Sequence, residues 1–440
     1  MTAMRTVRTL ALLLPLLLLP ATAARAGDGV LAATLDNGLR VLLLEDRRSP
    51  IVSFQVWYRV GSRNEQRGAT GIAHFLEHMM FKGTPAHGPR EFARLVERNG
   101  GRDNAFTSQD VTAYYVDIAA DRIDLVLELE ADRMHNLLLD AKDIDSERQV
   151  VIEERRTRTE DDPGGFLGEE VASIAFKAHP YGYPVIGWPE DLTRITRDEV
   201  RAFYRTYYTP NNALIVAVGD FRAPELLEKI RQRFGPIPRG SEPPPVLAIE
   251  PAQNGERRVL VRKQAQLPIV YLGWHAPSQR SADAPALEVL STVLSGGRAS
   301  RLYRHLVYER QLALEAGGDY NYFSFDPNLF WFWATPMPGR APEELERALL
   351  AEMERLKTEA VTDEELARAK NQIEASFVFQ ADSVHRRASL LARFEMIGGA
   401  ARMDSFVPMI RAVTAADVMR VAHTWFPPDK KNVGILLPKP

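Results

Sequence analysis

One register governs what this chain can fold into. Thr196, Val200, Thr206 and Pro210 recur as Thr414, Val418, Thr424 and Pro428, every pair separated by 218 residues. In both copies a Thr heads a helical stretch, and the stretch closes on an aromatic pair (Tyr207-Tyr208, Trp425-Phe426). A Pro turn then leads into an apolar strand. Two ordinary helix–turn–strand units could match by coincidence, but four positions without a gap favour a duplicated unit. Between the copies, Pro236, Pro238, Pro243, Pro244 and Pro245 fall in a stretch without hydrophobic period, which marks a linker.

The pattern on either side of the linker agrees. Alternating or apolar runs predict strands at 35–45, 51–58, 213–218, 257–263, 268–275 and 329–335, and a hairpin at 103–108 and 112–118. Helical periods predict helices at 72–82, 89–97, 121–136, 141–159, 168–178, 196–207 and 224–234. In the second half they predict 284–296, 299–310 and long helices from 341 to 424. Pro163-Gly164-Gly165 reads as a break between two of these helices. Strands then helices, twice over, predict an α+β fold of two homologous domains: 27–235 and 257–440, joined by 236–256. A chain of 440 residues has room for both.

Residues 1–26 stand apart. Arg5 and Arg8 precede an apolar run from Leu10 to Pro20, and Ala24-Arg25-Ala26, or Ala21-Thr22-Ala23, offers a small-x-small cleavage site. This is the pattern of a secretory signal peptide. The run is too short to span a bilayer comfortably. In a Gram-negative source the mature chain is then periplasmic. The chain has no Cys, which excludes disulfides, thiol catalysis and thiolate metal sites and leaves His and carboxylates as ligands. A net charge of −3 without a basic stripe gives nucleic acid no purchase.

The chemistry concentrates in His74-Phe75-Leu76-Glu77-His78. Four residues apart on a helix, the two imidazoles lie one turn above the other and can share one Zn²⁺. Glu77, on the same side, can take a proton from water beside the metal. This is the His-x-x-Glu-His order of inverted zinc peptidases. The plain alternative is two satisfied surface histidines beside a solvated carboxylate. A catalytic zinc needs a third protein ligand, and Glu147-Arg148-Gln149-Val150-Val151-Ile152-Glu153-Glu154 is the obvious source. Glu147 and Glu154, seven apart, share a helix face. Val150 and Val151 between them suggest that the face looks inward, and Glu153 points about a quarter-turn away.

With these residues in view, the chain resembles the pitrilysin/insulinase superfamily, close to its processing-peptidase branch, from Leu35 to about Leu437. The resemblance implies a half-clamshell whose two domains each pack helices on a mainly antiparallel sheet, enclosing unfolded peptides in a chamber. It makes Glu154, 76 residues beyond His78, the third zinc ligand and Glu147 its support. One Zn²⁺ per chain follows, with Glu77 as the base. Gly100-Gly101-Arg102-Asp103-Asn104-Ala105-Phe106-Thr107 resembles the family's active-site edge strand, so Asn104, Ala105, Phe106 and Thr107 would pair with an extended substrate. An ordinary core hairpin is the other reading. His179 reads as structural, and Tyr181 as a site neighbour.

One departure stands out. Family members that cut alone or as homodimers carry a run like Ser-Arg-Leu-Phe-x-x-Leu-Arg-Glu-x-x-Gly-Leu-Ala-Tyr, whose Arg and Tyr help hold the substrate carbonyl. Here Ser300, Arg301, Leu302, Leu306, Leu312 and Ala313 keep the register, but Val307 and Leu314 stand at the two functional positions. The resemblance therefore implies a zinc-dependent endopeptidase subunit, the zinc-bearing half of a heteromer whose homologous partner supplies the Arg and Tyr. A non-catalytic scaffold subunit and a peptide-binding, chaperone-like module of the same fold are the rival readings.

Overall fold

The computed structural model describes residues 24–26 and 29–439. The expected leader lies outside the described residues apart from Ala24–Ala26. The strands are β1 (Ala24–Ala26), β2 (Val30–Thr34), β3 (Arg40–Glu45), β4 (Ile51–Tyr58), β5 (Arg102–Thr107), β6 (Thr112–Ala119) and β7 (Ala213–Gly219), followed by β8 (Arg257–Lys263), β9 (Ile269–Ala276), β10 (Ala313–Tyr320), β11 (Asn328–Pro336) and β12 (Asn432–Pro438). They form one sheet in the order β1-β2-β3-β7-β4-β6-β5 and a second in the order β10-β11-β9-β12-β8. Set β1 and β2 aside, and β3-β7-β4-β6-β5 is the same path as β8-β12-β9-β11-β10. The one parallel pair of each sheet, β3 with β7 and β8 with β12, sits at the same place. The other pairs are antiparallel. The repeat read from four residues is a repeat of a whole α+β domain.

Its most legible residues are helix caps. Thr196 accepts the Glu199 N–H, and the Glu199 carboxylate accepts the Thr196 N–H in return; Thr414 and Asp417 do the same at the head of Ala415–Trp425. Each reciprocal pair satisfies two amides that a helix start leaves open.

Each sheet buries one face under its own helices. In the first, Val41, Phe54, Val56, Tyr114 and Ile215 pack against Phe75, Leu76, Val126 and Tyr204. The other face is covered by the opposite half. Val384, Ala388, Leu391 and Ala392 of the helix Val384–Gly398 lie over Leu42, Trp57, Leu214 and Val216 of the first sheet. Reciprocally, Leu167 and Val171 of the helix Pro163–Ala175 lie on Leu436 of β12 beside Val259 and Val261. Gly434 makes that approach possible. A Cβ there would collide with Val171 Cγ2 and come within 3.0 Å of Leu167 Cδ1.

The structure moves several expected elements. The strand expected at 35–45 begins at Arg40, because Leu35 to Gly38 is a turn: the Gly38 N–H bonds to Leu35 O, and the Asn37 amide reaches Phe234 O and Ile237 O. β2 precedes it unannounced. The motif helix ends at Met79 rather than 82. Pro163 opens a helix instead of breaking one, since a first-turn Pro has no N–H to lose and the Asp162 carboxylate accepts the Gly165 N–H. β10 carries no strand signal in the sequence, because Gly317 and Gly318 depress strand propensity. They are required, since a Cβ at Gly317 would collide with the Trp333 ring and one at Gly318 would sit 2.9 Å from Phe332 Cδ1.

Between Phe234 and Arg257 the chain has no helix or strand, but it is tied down. The Glu250 carboxylate accepts the N–H groups of Lys177, Ala178 and His179 at 2.9–3.0 Å. No helix among the described residues is long and apolar enough to cross a membrane.

Candidate metal and active site

The helix Ile72–Met79 enters through Gly71, whose φ of 87° is open to glycine at little cost. Its first amides are taken by a buried carboxylate: Gly71 and Ala73 donate to Glu65 at 2.8 and 2.9 Å. Burial raises the Glu65 pKa well above the usual range despite these bonds. Ile72, Ala73, Phe75, Leu76 and Met79 sink into the core, which orients His74, Glu77 and His78 toward a cavity of about 650 Å³. The helix Ala141–Arg155 runs alongside and brings Glu147 and Glu154 to the same place.

Glu154 Oε2 lies 3.8 Å from His74 Nε2 and 3.1 Å from His78 Nε2. The three donor atoms are within 4.8 Å of one another, and among the described residues this is the one such group of three His or carboxylate side chains. Tetrahedral zinc bonds of about 2.0–2.2 Å put ligand atoms a little over 3 Å apart, so small side-chain rotations suffice to close the set. Glu147 Oε1 is 2.8 Å from His78 Nδ1, which fixes the Nδ1–H tautomer and leaves Nε2 for a metal. The other Glu147 oxygen pairs with Lys82. His74 Nδ1 is buried without a hydrogen-bond partner. The donor set and its outer support suit zinc.

The charges agree. Burial works to lower the His78 pKa, but bonds to Glu147 and Glu154 outweigh it and raise the value to about 9. Burial, then the charge on His78, hold His74 well below the usual imidazole range. The His78 bond lowers Glu154. Burial opposes the lowering of Glu147, and His78 with Lys82 prevails. Two imidazole nitrogens and the Glu154 carboxylate facing one another make a place that a divalent ion fits. Burial raises Glu77, which is 9% exposed, while a hydrogen bond from Thr107 opposes that rise. Thr107 Oγ1 donates to Glu77 Oε2 at 2.5 Å.

Asn104, Ala105, Phe106 and Thr107 of β5 line the same cavity as His74, Glu77, His78 and Glu154. β5 is the last strand of its sheet, so its outer edge has no partner strand among the described residues. The Ala105 N–H turns to Asn104 Oδ1 at 2.9 Å instead of to a neighbouring strand. Phe106 meets Trp57 edge-on, with centroids 5.3 Å apart.

Other expectations shift. Val151 is buried, but Val150 is 49% exposed, so the face between the two glutamates is only half inward. Glu153 pairs with Arg156 at the surface, away from the donors. His179 accepts the Tyr181 N–H and contacts Asp326 across the domain boundary. Tyr181 is buried, bonds to Asp110 at 2.7 Å and does not line the cavity, which removes it as a site neighbour. Sequence reasoning missed three groups: Lys82, Arg158, whose Nη1 holds Glu154 Oε1 at 2.7 Å, and the Thr107 hydroxyl. Lys82 and Arg158 each stand four residues after a site residue, a spacing that could have flagged them.

In the second half, Gln311 has a left-handed φ of 48° where the resembling run has Gly, which supports the register of that run. Val307 packs on the second core, and Leu314 is exposed on β10. Arg301 is held by Glu365 through two bonds of 2.8 Å.

Residues 40–188 match the family model described as Insulinase (Peptidase family M16), and residues 194–373 match the one described as Peptidase M16 inactive domain. The zinc protease PqqE of Helicobacter pylori is 33% identical over 412 residues, 92% of each chain. A Mycobacterium tuberculosis protein described as an uncharacterized zinc protease is 32% identical over 393 residues, 89% of each chain. The crystal structure of a protease from Helicobacter pylori superposes with a TM-score of 0.89 at 33% identity, covering 92% of this chain and 99% of that one. A Pseudomonas fluorescens structure described as a peptidase M16 inactive domain shares the fold at a TM-score of 0.85 and 18% identity, covering 93% of this chain and 98% of that one.

Proposed function

This chain belongs to the insulinase family of M16 peptidases, and from that premise we propose that it is the zinc-bearing subunit of an endopeptidase acting on peptides or unfolded polypeptides. The observation that carries the reading is the convergence of His74, His78 and Glu154 donor atoms within 4.8 Å, beside a buried Glu77. Zinc held by these three side chains would supply Lewis-acid chemistry, polarising a carbonyl and lowering the pKa of water. Glu77 takes the proton of the attacking water and delivers it to the departing amine, so the carboxylate is regenerated in each turnover. Glu147 accepts the His78 Nδ1–H and keeps the ring oriented, and Lys82 balances the charge of Glu147. An extended peptide adds to the outer edge of β5 through main-chain bonds at Asn104 to Thr107, which lays its backbone across the cavity.

Two further elements belong to the proposal. Val307 and Leu314 cannot donate hydrogen bonds, so a homologous partner subunit supplies the Arg and Tyr that hold the substrate carbonyl. The leader directs export, to the periplasm in a Gram-negative cell. The scaffold and chaperone-like readings receive less support, because the ligand set and base are intact in the half matched to the insulinase model.

The test is direct. The mature chain, alone and with its co-purifying partner, is assayed for zinc content and peptide hydrolysis. One zinc per chain, weak cleavage alone, restored cleavage with the partner and none with Glu77→Gln are expected. A zinc-free chain, or a zinc-loaded Glu77→Gln complex that still cleaves, would refute the enzymatic reading. An isolated chain as fast as any mixture would refute the heteromer.

A further inference from the structure

β5 faces two ways. Its outer edge is the proposed substrate strand, while the Thr107 side chain turns to the motif helix and meets Glu77. Thr107 Oγ1 lies 2.5 Å from Glu77 Oε2 and 3.4 Å from Thr112 Oγ1, and Thr112 Oγ1 lies 2.9 Å from Val60 O. The direction of these bonds follows from the donor inventory. A backbone carbonyl only accepts, so Thr112 spends its one proton on Val60. The Thr107 proton goes to the ionised carboxylate, the nearer and stronger acceptor. Thr107 is itself fixed by pairing with Thr112 at the end of the β5–β6 hairpin.

Glu77 needs such an anchor. The terminal torsion of a glutamate is broad, so a carboxylate held by nothing samples many orientations. With Oε2 taken by Thr107, the other oxygen stays free for a water proton, and the carboxylate need not turn between accepting that proton and giving it up.

We propose that Thr107 is the positioning residue of the catalytic base: its hydroxyl pins one Glu77 oxygen and so presents the other to the attacking water. The inference rests on the peptidase reading and adds to it a coupling. The strand that takes the substrate on one edge carries the anchor of the base on the other side.

Two variants separate this role from packing. Thr107→Val keeps the shape and β-branching but loses the hydroxyl, and Thr107→Ser keeps the hydroxyl. In the complex of this chain with its partner, Thr107→Val lowers kcat roughly ten- to hundredfold, the worth of one hydrogen bond to a charged group. KM, zinc per chain and melting temperature stay at wild-type values. Thr107→Ser retains kcat within about twofold. A Thr107→Val enzyme with wild-type kcat, a loss confined to KM, or a serine variant as slow as the valine one would overturn the proposal. A crystallographic arm needs no activity: zinc-loaded wild type shows one ordered Glu77 rotamer, and Thr107→Val shows it rotated or spread. An unchanged Glu77 in Thr107→Val overturns the positioning role. Wild-type protein that cleaves nothing defeats the peptidase reading, and the crystallographic arm still decides what Thr107 does.

Discussion

Replacing Glu147 by Gln tests the electrostatics of the site in a way that truncation does not. The Gln oxygen can still accept the His78 Nδ1–H now received by Glu147 at 2.8 Å, so the ring orientation survives. Two things are lost. The bond to His78 becomes neutral, at roughly half the strength of a charge-assisted one, and Lys82 loses its carboxylate. Together these cost about 1–2 kcal/mol of support for the metal-bound form, or about 5- to 30-fold in zinc affinity. A second effect runs the other way. In the metal-free chain His78 holds its proton up to about pH 9, since the bonds to Glu147 and Glu154 outweigh burial. Zinc must expel that proton, so wild-type log affinity climbs by about one per pH unit and levels off near pH 9. Without the Glu147 charge the His78 pKa falls, and the plateau begins at a lower pH. The expected result is a Glu147→Gln curve that lies below wild type above pH 9 and converges on it toward neutrality. Zinc competition against a calibrated chelator from pH 6.5 to 9.5 measures both curves. Parallel curves with the same break, or a deficit that widens toward neutral pH, would refute the assignment of His78 as the proton carrier and Glu147 as its cause.

Other outcomes follow from single contacts. Glu154→Gln should weaken zinc binding far more than Glu153→Gln, because only Glu154 faces the imidazoles while Glu153 pairs with Arg156 at the surface; equal losses in the same chelator assay would sink the ligand set. Gly434→Ala should cost about 1–3 kcal/mol and lower the melting temperature by several degrees, since the new methyl meets Val171 and Leu167 of the other half; an unchanged melting curve would mean that this packing is loose. The two bonds from Arg301 hold the Glu365 carboxyl down to about 2, against a usual 4.5. Its stabilisation is present above the unfolded value and lost as pH falls toward the folded one. Glu365→Gln should therefore be about 1–2 kcal/mol less stable than wild type in urea melts at pH 7, with the gap narrowing at pH 3, and a gap equally wide at both would contradict the sign.

What the sequence revealed and what it concealed divide along physical lines. Caps and turns are local, so Thr196 and Thr414 announced the duplication before any sheet was in view. The motif helix and the Glu147–Glu154 face follow from helical spacing alone. β10 was hidden because its glycines are explained by Trp333 and Phe332, residues brought near only by the fold. Pro163 misled because it ends one element and starts another with equal ease, and only the Asp162 cap decides between them. The Thr107–Glu77 bond spans thirty residues between a strand and a helix, and no periodicity encodes it. The loop His179-Pro180-Tyr181-Gly182 resembles a family loop and so suggests Tyr181 as a site neighbour, whereas its hydroxyl belongs to the seam with Asp110.

The reciprocal covering of the sheets sets a timetable for synthesis. The strands of the first sheet are all made once Gly219 has left the ribosome, yet the helix that shields Trp57, Leu214 and Val216 is not encoded until Val384–Gly398. At roughly 5–20 residues per second the nascent first half waits on the order of ten seconds with one apolar face bare. During that interval it offers a surface to holding chaperones and cannot lock into its final form. The first half therefore stays unfinished, with its sheet covered on one side only, until the last helices have been made.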